Sequence, residues 1–195
     1  MINDLGKRLT NTLINNQQID ESERRLYEYG FFLLISNVMY FAITFAMGSI
    51  LKIISESIIF YIAFNLIRGY AGGYHASSEL KCWVATTVSI FLCLGIVKLC
   101  NLYNIKTVII FLTIVAAVLI FLLCPLDTPE KPLTIKEKKY FRKKSWKILL
   151  IILTIICLSL SFKINALIYP CSVSLILEGI LLFLGKIKEI RKKNG

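Results

Sequence analysis

The chain has 195 residues, 56% of them hydrophobic, with 23 Lys and Arg against 12 Asp and Glu for a formal charge of +11. Soluble domains average about 45–50% apolar residues, so there is more apolar surface here than one globular core buries, which excludes an ordinary soluble enzyme. The basic excess would suit nucleic acid in a soluble protein. Here it falls between apolar runs, as in the cytoplasmic loops of membrane proteins, so no nucleic-acid partner is expected.

The N-terminal arm (1–30) holds Asp4, Lys7, Arg8, Asp20, Glu21, Glu23, Arg24, Arg25 and Glu28. It has no apolar stretch of the kind a secretory signal requires, so insertion through internal spans is expected. Ile2, Leu5, Leu9 and Leu13 recur at helical spacing and predict an amphipathic helix on the membrane surface. Asp20 with Glu23 three residues later resembles a capping box that opens a second helix. Tyr27 and Tyr29 suit the headgroup interface.

Six apolar runs follow, at 31–47, 50–67, 83–100, 105–124, 148–162 and 166–184. A crossing takes about 17–25 residues. The predicted fold class is therefore all-α: a polytopic membrane protein of about six transmembrane helices plus the N-terminal surface helix, forming a single membrane domain over 1–195. The second run is the weakest, because Ser55, Glu56 and Ser57 interrupt it, and a re-entrant segment is the alternative. A basic loop at 125–147 opens with Pro125, Pro129 and Pro132 and runs into a basic juxtamembrane helix at 136–147, with Trp146 at the interface. The tail at 186–195 is also basic. With the N-terminus inside, 19 basic residues fall on the cytoplasmic side and four (Lys52, Lys98, Lys106 and Lys163) on the outer side. This bias predicts a multi-pass cell-membrane protein with both termini cytoplasmic.

The six cysteines show no CxxC spacing and lie mostly in apolar runs, which suggests small buried hydrophobes and no disulfide framework. Cys82 is the exception. The link between the second and third runs reads Arg68-Gly69-Tyr70-Ala71-Gly72-Gly73-Tyr74-His75-Ala76-Ser77-Ser78-Glu79-Leu80-Lys81-Cys82 and contains the only histidine of the chain. In one unbroken helix His75 and Cys82 would stand about 10.5 Å apart along the axis, too far for an imidazole to take a proton from a thiol. The pairing therefore requires a turn between them. Ser77 or Ser78 as N-cap and Glu79 in a first turn provide for one. Cys82 then falls near the positive end of a helix dipole, which favours a thiolate, beside free backbone N–H groups able to hold an oxyanion. Gly69, Gly72 and Gly73 allow the preceding backbone to bend or to approach a substrate closely. A zinc site needs at least three protein ligands, which one histidine and no cysteine pair do not provide, so neither metal nor cofactor is expected. The competing reading is a polar turn in which His75 and Cys82 carry no chemistry.

This segment, with Gly-Gly just before Tyr74-His75-Ala76 and then Cys82, resembles the accessory gene regulator B family. Chain length, short spans, charged arm and the basic loop before the last two spans agree with it. The resemblance implies a membrane cysteine endopeptidase of Gram-positive bacteria, working as a homodimer on a quorum-sensing pro-peptide. His75 would deprotonate Cys82, the thiolate would cleave near the precursor's C-terminus, and the thioester would close to a thiolactone or lactone. Gly73 matches the family pattern. Arg68 either binds substrate carboxylates, steadies the loop or sets topology; Glu79 either orients His75 or caps a helix. Glu178, in the middle of the sixth run, is a functional candidate or a carboxyl paired within the bundle. Two other functions compete: a small transporter with Glu178, Lys98 and Asn65 along a path, and a scaffold whose basic segments recruit acidic partners.

Overall fold

The computed structural model describes residues 2–73, 79–126 and 133–194. These contain seven α-helices and no strand: α1 (Ile2–Asn15), α2 (Arg24–Ile50), α3 (Ile54–Ala71), α4 (Glu79–Tyr103), α5 (Lys106–Leu123), α6 (Ile135–Ser161) and α7 (Asn165–Asn194). Helix is what these apolar runs must adopt in lipid, because only there are all backbone polar groups satisfied within one segment. The chain divides into two compact units, Met1–Ile43 and Thr44–Gly195.

In the first unit α1 is joined to α2 through a 3-10 turn, Glu21–Glu23. Arg24 ties the corner together by donating to Glu21 in that turn and to Asn11 on α1. Gly6 lies in van der Waals range of α2: a Cβ placed there would sit 3.5 Å from the carbonyl oxygen of Glu28. The capping box expected at Asp20 is not formed. Asp20 precedes the 3-10 turn but makes no side-chain cap bond, and the acidic group at work in this corner is Glu21, paired with Arg24.

The second unit is an antiparallel helical bundle with two distinct ends. At one end, short corners join α2 to α3, α4 to α5 and α6 to α7. Each contains a non-glycine residue of positive φ: Lys52 (55°), Asn104 (52°) and Lys163 (56°). At two of them the helix closes with the wrapped bond of a left-handed cap, Ile53 N–H to Gly48 O (2.8 Å) and Ile164 N–H to Ser159 O (2.9 Å). The Tyr169 hydroxyl donates to Asn104 across this end at 2.9 Å. At the other end stand the C-termini of α3 and α5 and the N-terminal part of α6, which packs against both.

At the centre stands α7. Of its most apolar window 67% is buried, against 22% for α4 and 28% for α5 and α6, and α3, α4, α5 and α6 are arranged around it. Its principal neighbours are α3 and α5, with α4 and α6 beside them. The contact with α5 is close because Gly179 has no side chain; a Cβ there would lie 3.1 Å from both the Cα and the Cβ of Ala116. Ile67, Ile120, Leu149, Ile152, Cys171, Leu175 and Leu182 form the core between these helices. Outward faces such as Val88, Phe91, Leu92 and Leu99 of α4, or Phe111, Val118 and Leu122 of α5, remain exposed and apolar. Such a surface belongs in a bilayer.

Among the described residues, five stretches are long and apolar enough to cross a membrane: Glu21–Ile50, Cys82–Tyr103, Lys106–Leu123, Ile135–Ser161 and Asn165–Arg191. The second of the six apolar runs, α3, is not among them, because Ser55, Glu56, Ser57, Asn65 and Arg68 lower its hydropathy. It is nonetheless one unbroken 18-residue helix. Its polar groups are used inside the bundle: Ser57 is fully buried and Glu56 accepts from Asn101 of α4 at 3.4 Å.

Candidate functional site

The link read from the sequence as 68–82 is helical at both of its ends. Arg68, Gly69, Tyr70 and Ala71 form the last turn of α3, and α4 as described opens at Glu79. Gly69 therefore does not bend the chain. It sits within the helix, and a Cβ there would meet nothing within 4 Å. The turn falls instead at Gly72 (φ 79°) and Gly73 (φ 140°), in backbone regions that side chains rarely tolerate.

Arg68 holds this turn from two sides. Its carbonyl oxygen accepts the Gly72 N–H at 3.2 Å, which closes α3. Its guanidinium reaches forward, and Nη1 donates to the Gly72 carbonyl oxygen at 3.2 Å. Gly73 packs so tightly on the same guanidinium that a Cβ would overlap Nη1. The close approach expected of these glycines is thus made to the protein's own groups. Nη1 also stands 3.6 Å from Oε2 of Glu178 on α7. The Glu178 side chain is fully buried and that of Arg68 is 22% exposed, so an intramembrane carboxyl group faces a cation at the bundle end.

A third element packs on the turn. After α5 the chain passes through Cys124 and Pro125 to Leu126, whose N–H donates to the Ala71 carbonyl at 2.9 Å. The Leu126 carbonyl is so close that a Cβ on Gly72 would come within 2.7 Å of it. The segment is secured in turn by α6: Arg142 Nε donates to the Cys124 carbonyl and Trp146 Nε1 to the Phe121 carbonyl, each at 3.2 Å. Trp146 stacks on Phe121 with ring centroids 4.5 Å apart. The start of α6 is fixed by a reciprocal capping box in which Thr134 Oγ1 accepts from Glu137 N–H and the Glu137 carboxylate accepts from the Thr134 N–H. The basic residues Lys136, Lys138, Lys139, Arg142, Lys143 and Lys144 follow in its first turns.

Cys82 is the fourth residue of α4 as described, and it is partly exposed. Of the other cysteines, Cys93, Cys100, Cys124 and Cys171 are buried and Cys157 is exposed near the C-terminal end of α6; all six are free thiols. Among the six thiols Cys82 alone lies within the first four described residues of a helix. His75 lies outside the described residues, as do Tyr74 and Ser77–Ser78 of the expected turn. The structure therefore brings Arg68, Gly72 and Gly73 together, with Glu79 and Cys82 at the start of the following helix.

Sequence reasoning did not find the partnership of Arg68 with Glu178, or the docking of Leu126 on Gly72. For the first, two lone intramembrane charges of opposite sign were the available signal. For the second there was none beyond the glycine itself.

The family model described as accessory gene regulator B matches residues 6–183. An AgrB-like protein of Clostridium perfringens is 30% identical over 172 residues, covering 85% of this chain and 80% of that protein. The accessory gene regulator protein B of Staphylococcus aureus is 30% identical over 115 residues, 57% of this chain and 60% of that protein. An AgrB-like protein of Listeria innocua is 24% identical over 160 residues, 81% and 78% of the respective chains. No solved structure matches the chain.

Proposed function

The chain belongs to the accessory gene regulator B family, and on that premise we propose that it is a membrane-embedded cysteine endopeptidase that cleaves a small quorum-sensing pro-peptide and closes it into a ring. The observation that carries this reading is the position of Cys82, a partly exposed thiol in the opening turn of α4, one short link beyond a glycine turn fixed by Arg68. Among six free cysteines it is the one so placed.

In the proposed reaction the imidazole of His75 takes the proton of the Cys82 thiol, and the sulfur attacks a carbonyl carbon near the C-terminus of the precursor. The tetrahedral oxyanion is received by free N–H groups of the first turn of α4. The C–N bond breaks, the leaving amine takes the proton from His75, and the N-terminal part remains on Cys82 as a thioester. A nucleophilic side chain of the same peptide, a thiol or hydroxyl, then displaces Cys82 and passes its proton back through His75. Exchange of one thioester for another is nearly isoenergetic. Holding the two ends of one bound peptide together and excluding water therefore suffices, and no cofactor enters.

The basic start of α6 and the Arg68 turn share one end of the bundle, whereas Lys52 and Lys163 stand at the other. This distribution supports placing the site at the cytoplasmic face of the cell membrane, with both termini inside. The test is co-expression with a precursor peptide encoded beside the gene, followed by mass spectrometry of the products. Cys82→Ser and His75→Ala abolish processing, and Cys93→Ser leaves it intact. Processing by a Cys82→Ser protein would overturn the assignment.

A further inference from the structure

One nitrogen atom links the glycine turn to the core of the molecule. Arg68 Nη1 donates to the Gly72 carbonyl at 3.2 Å and stands 3.6 Å from Oε2 of Glu178. Glu178 is fully buried on the central helix, and neither of its carboxyl oxygens has a hydrogen-bond partner among the described residues. A carboxyl group so deep in an apolar bundle is costly to keep. Packing does not account for it, since a leucine or methionine would fill the same space more cheaply. What it does in this structure is face the guanidinium on which the turn rests.

We propose that Glu178 is a positioning residue for the site: it holds the Arg68 guanidinium, and the guanidinium sets the Gly72–Gly73 turn from which the chain runs on to His75. The proposal rests on the cysteine-peptidase reading. Arg68 is the last charged residue of α3, and its side chain is long enough to take several rotamers. Leu126 packs on the Gly72 side of the turn that Arg68 clamps, but the Gly72 carbonyl and Gly73, from which the chain leaves, rest on the guanidinium itself, and glycines at φ 79° and 140° have shallow preferences of their own. With the anion on α7 the guanidinium keeps one orientation. Without it, Nη1 loses its charged neighbour, the bond to the Gly72 carbonyl loosens, and the chain that leads from Gly73 towards His75 no longer starts from one direction.

The sign of the effect separates positioning from a simple field effect. Removing a negative charge favours a thiolate elsewhere in the site, so loss of charge alone would speed the reaction of Cys82 with an electrophile. Loss of the imidazole contact slows it. The experiment uses the full-length protein in lipid nanodiscs and iodoacetamide, an uncharged probe, with alkylation of Cys82 followed by peptide-resolved mass spectrometry at pH 7 and pH 10. The rate at pH 10 reports access, and the ratio of the two rates reports activation of the thiol at neutral pH. An ordinary thiol is about 3% ionised at pH 7, so complete loss of activation lowers this ratio by up to about thirtyfold.

Glu178→Gln is expected to lower the ratio roughly fivefold or more, towards the value of His75→Ala. Glu178→Asp, which keeps the charge but shortens the reach, is expected to fall between, and it decides the matter if the Gln protein does not fold. A change that only alters packing or access moves both rates together and leaves the ratio where it was. If His75→Ala lowers the ratio and neither Glu178 variant does, the positioning role is overturned and the peptidase reading stands. If His75→Ala itself leaves the ratio unchanged, the His75–Cys82 pairing is wrong and the positioning role goes with it.

Discussion

Gly69 and Gly72 lie three residues apart, yet the structure gives them opposite sensitivities to a single methyl group. At Gly72 the backbone adopts φ 79° and ψ −147°, a region that is essentially glycine's alone and costs other residues about 1–3 kcal/mol. A Cβ would also stand 2.7 Å from the Leu126 carbonyl oxygen. That oxygen cannot easily retreat, because its residue is bonded through its own N–H to Ala71 at 2.9 Å. Overpacking of this kind adds about 1–3 kcal/mol. Gly72→Ala is therefore expected to cost about 2–6 kcal/mol, and the turn yields before the bundle does, since the strain is confined to one loop. Gly69 is helical with open space around it, so Gly69→Ala is expected to stabilise α3 by about 0.5–1 kcal/mol. Two assays follow from this: thermal unfolding of each variant in detergent, and precursor processing in cells. Gly72→Ala should lower processing about 100-fold, as misplacement of a catalytic group by an ångström does, while Gly69→Ala processes at the parental rate. Equal behaviour of the two variants in both assays would refute the argument that the turn is held by the Leu126 carbonyl and by backbone conformation.

Three further substitutions probe the frame around the site. Gly179→Val places a side chain 3.1 Å from Ala116 and should lower stability by about 1–3 kcal/mol, read as an earlier thermal transition of the purified protein. Lys163→Gly removes a left-handed non-glycine residue (φ 56°) from the α6–α7 corner, and a gain of about 1 kcal/mol in the same measurement is expected. Thr134→Ala deletes half of the capping box and should cost about 1 kcal/mol at the start of α6, seen as faster protease cleavage ahead of residue 140 with no change in the transition of the whole bundle.

The elements that can be read from the chain are those whose signal is local. Six apolar runs lead to six helices because length and hydropathy act within each segment, and the periodic Leu5, Leu9 and Leu13 fall on α1 for the same reason. Cys82 falls among the first described residues of α4, where an acidic Glu79 ahead of an apolar run puts the start of a helix. The end of α3 does not follow in this way. Hydropathy stops at Ile67, yet the helix adds a further turn because Glu178 on α7 meets the charge of Arg68, a contact between residues distant in sequence. The two capping signatures show the same limit. Asp20 with Glu23 and Thr134 with Glu137 have identical spacing, but only the second closes, since in the first corner Arg24 engages Glu21. Which acid wins depends on a neighbour that the spacing rule does not include.

The helix that α3, α4, α5 and α6 surround is translated after all of them. Until α7 leaves the ribosome, α3 and α5 lack their principal packing partner, and Arg68 waits at the end of α3 without the carboxyl group that faces it in the finished bundle. Insertion of the earlier spans and assembly of the site are therefore separate events, and the second awaits the arrival of α7.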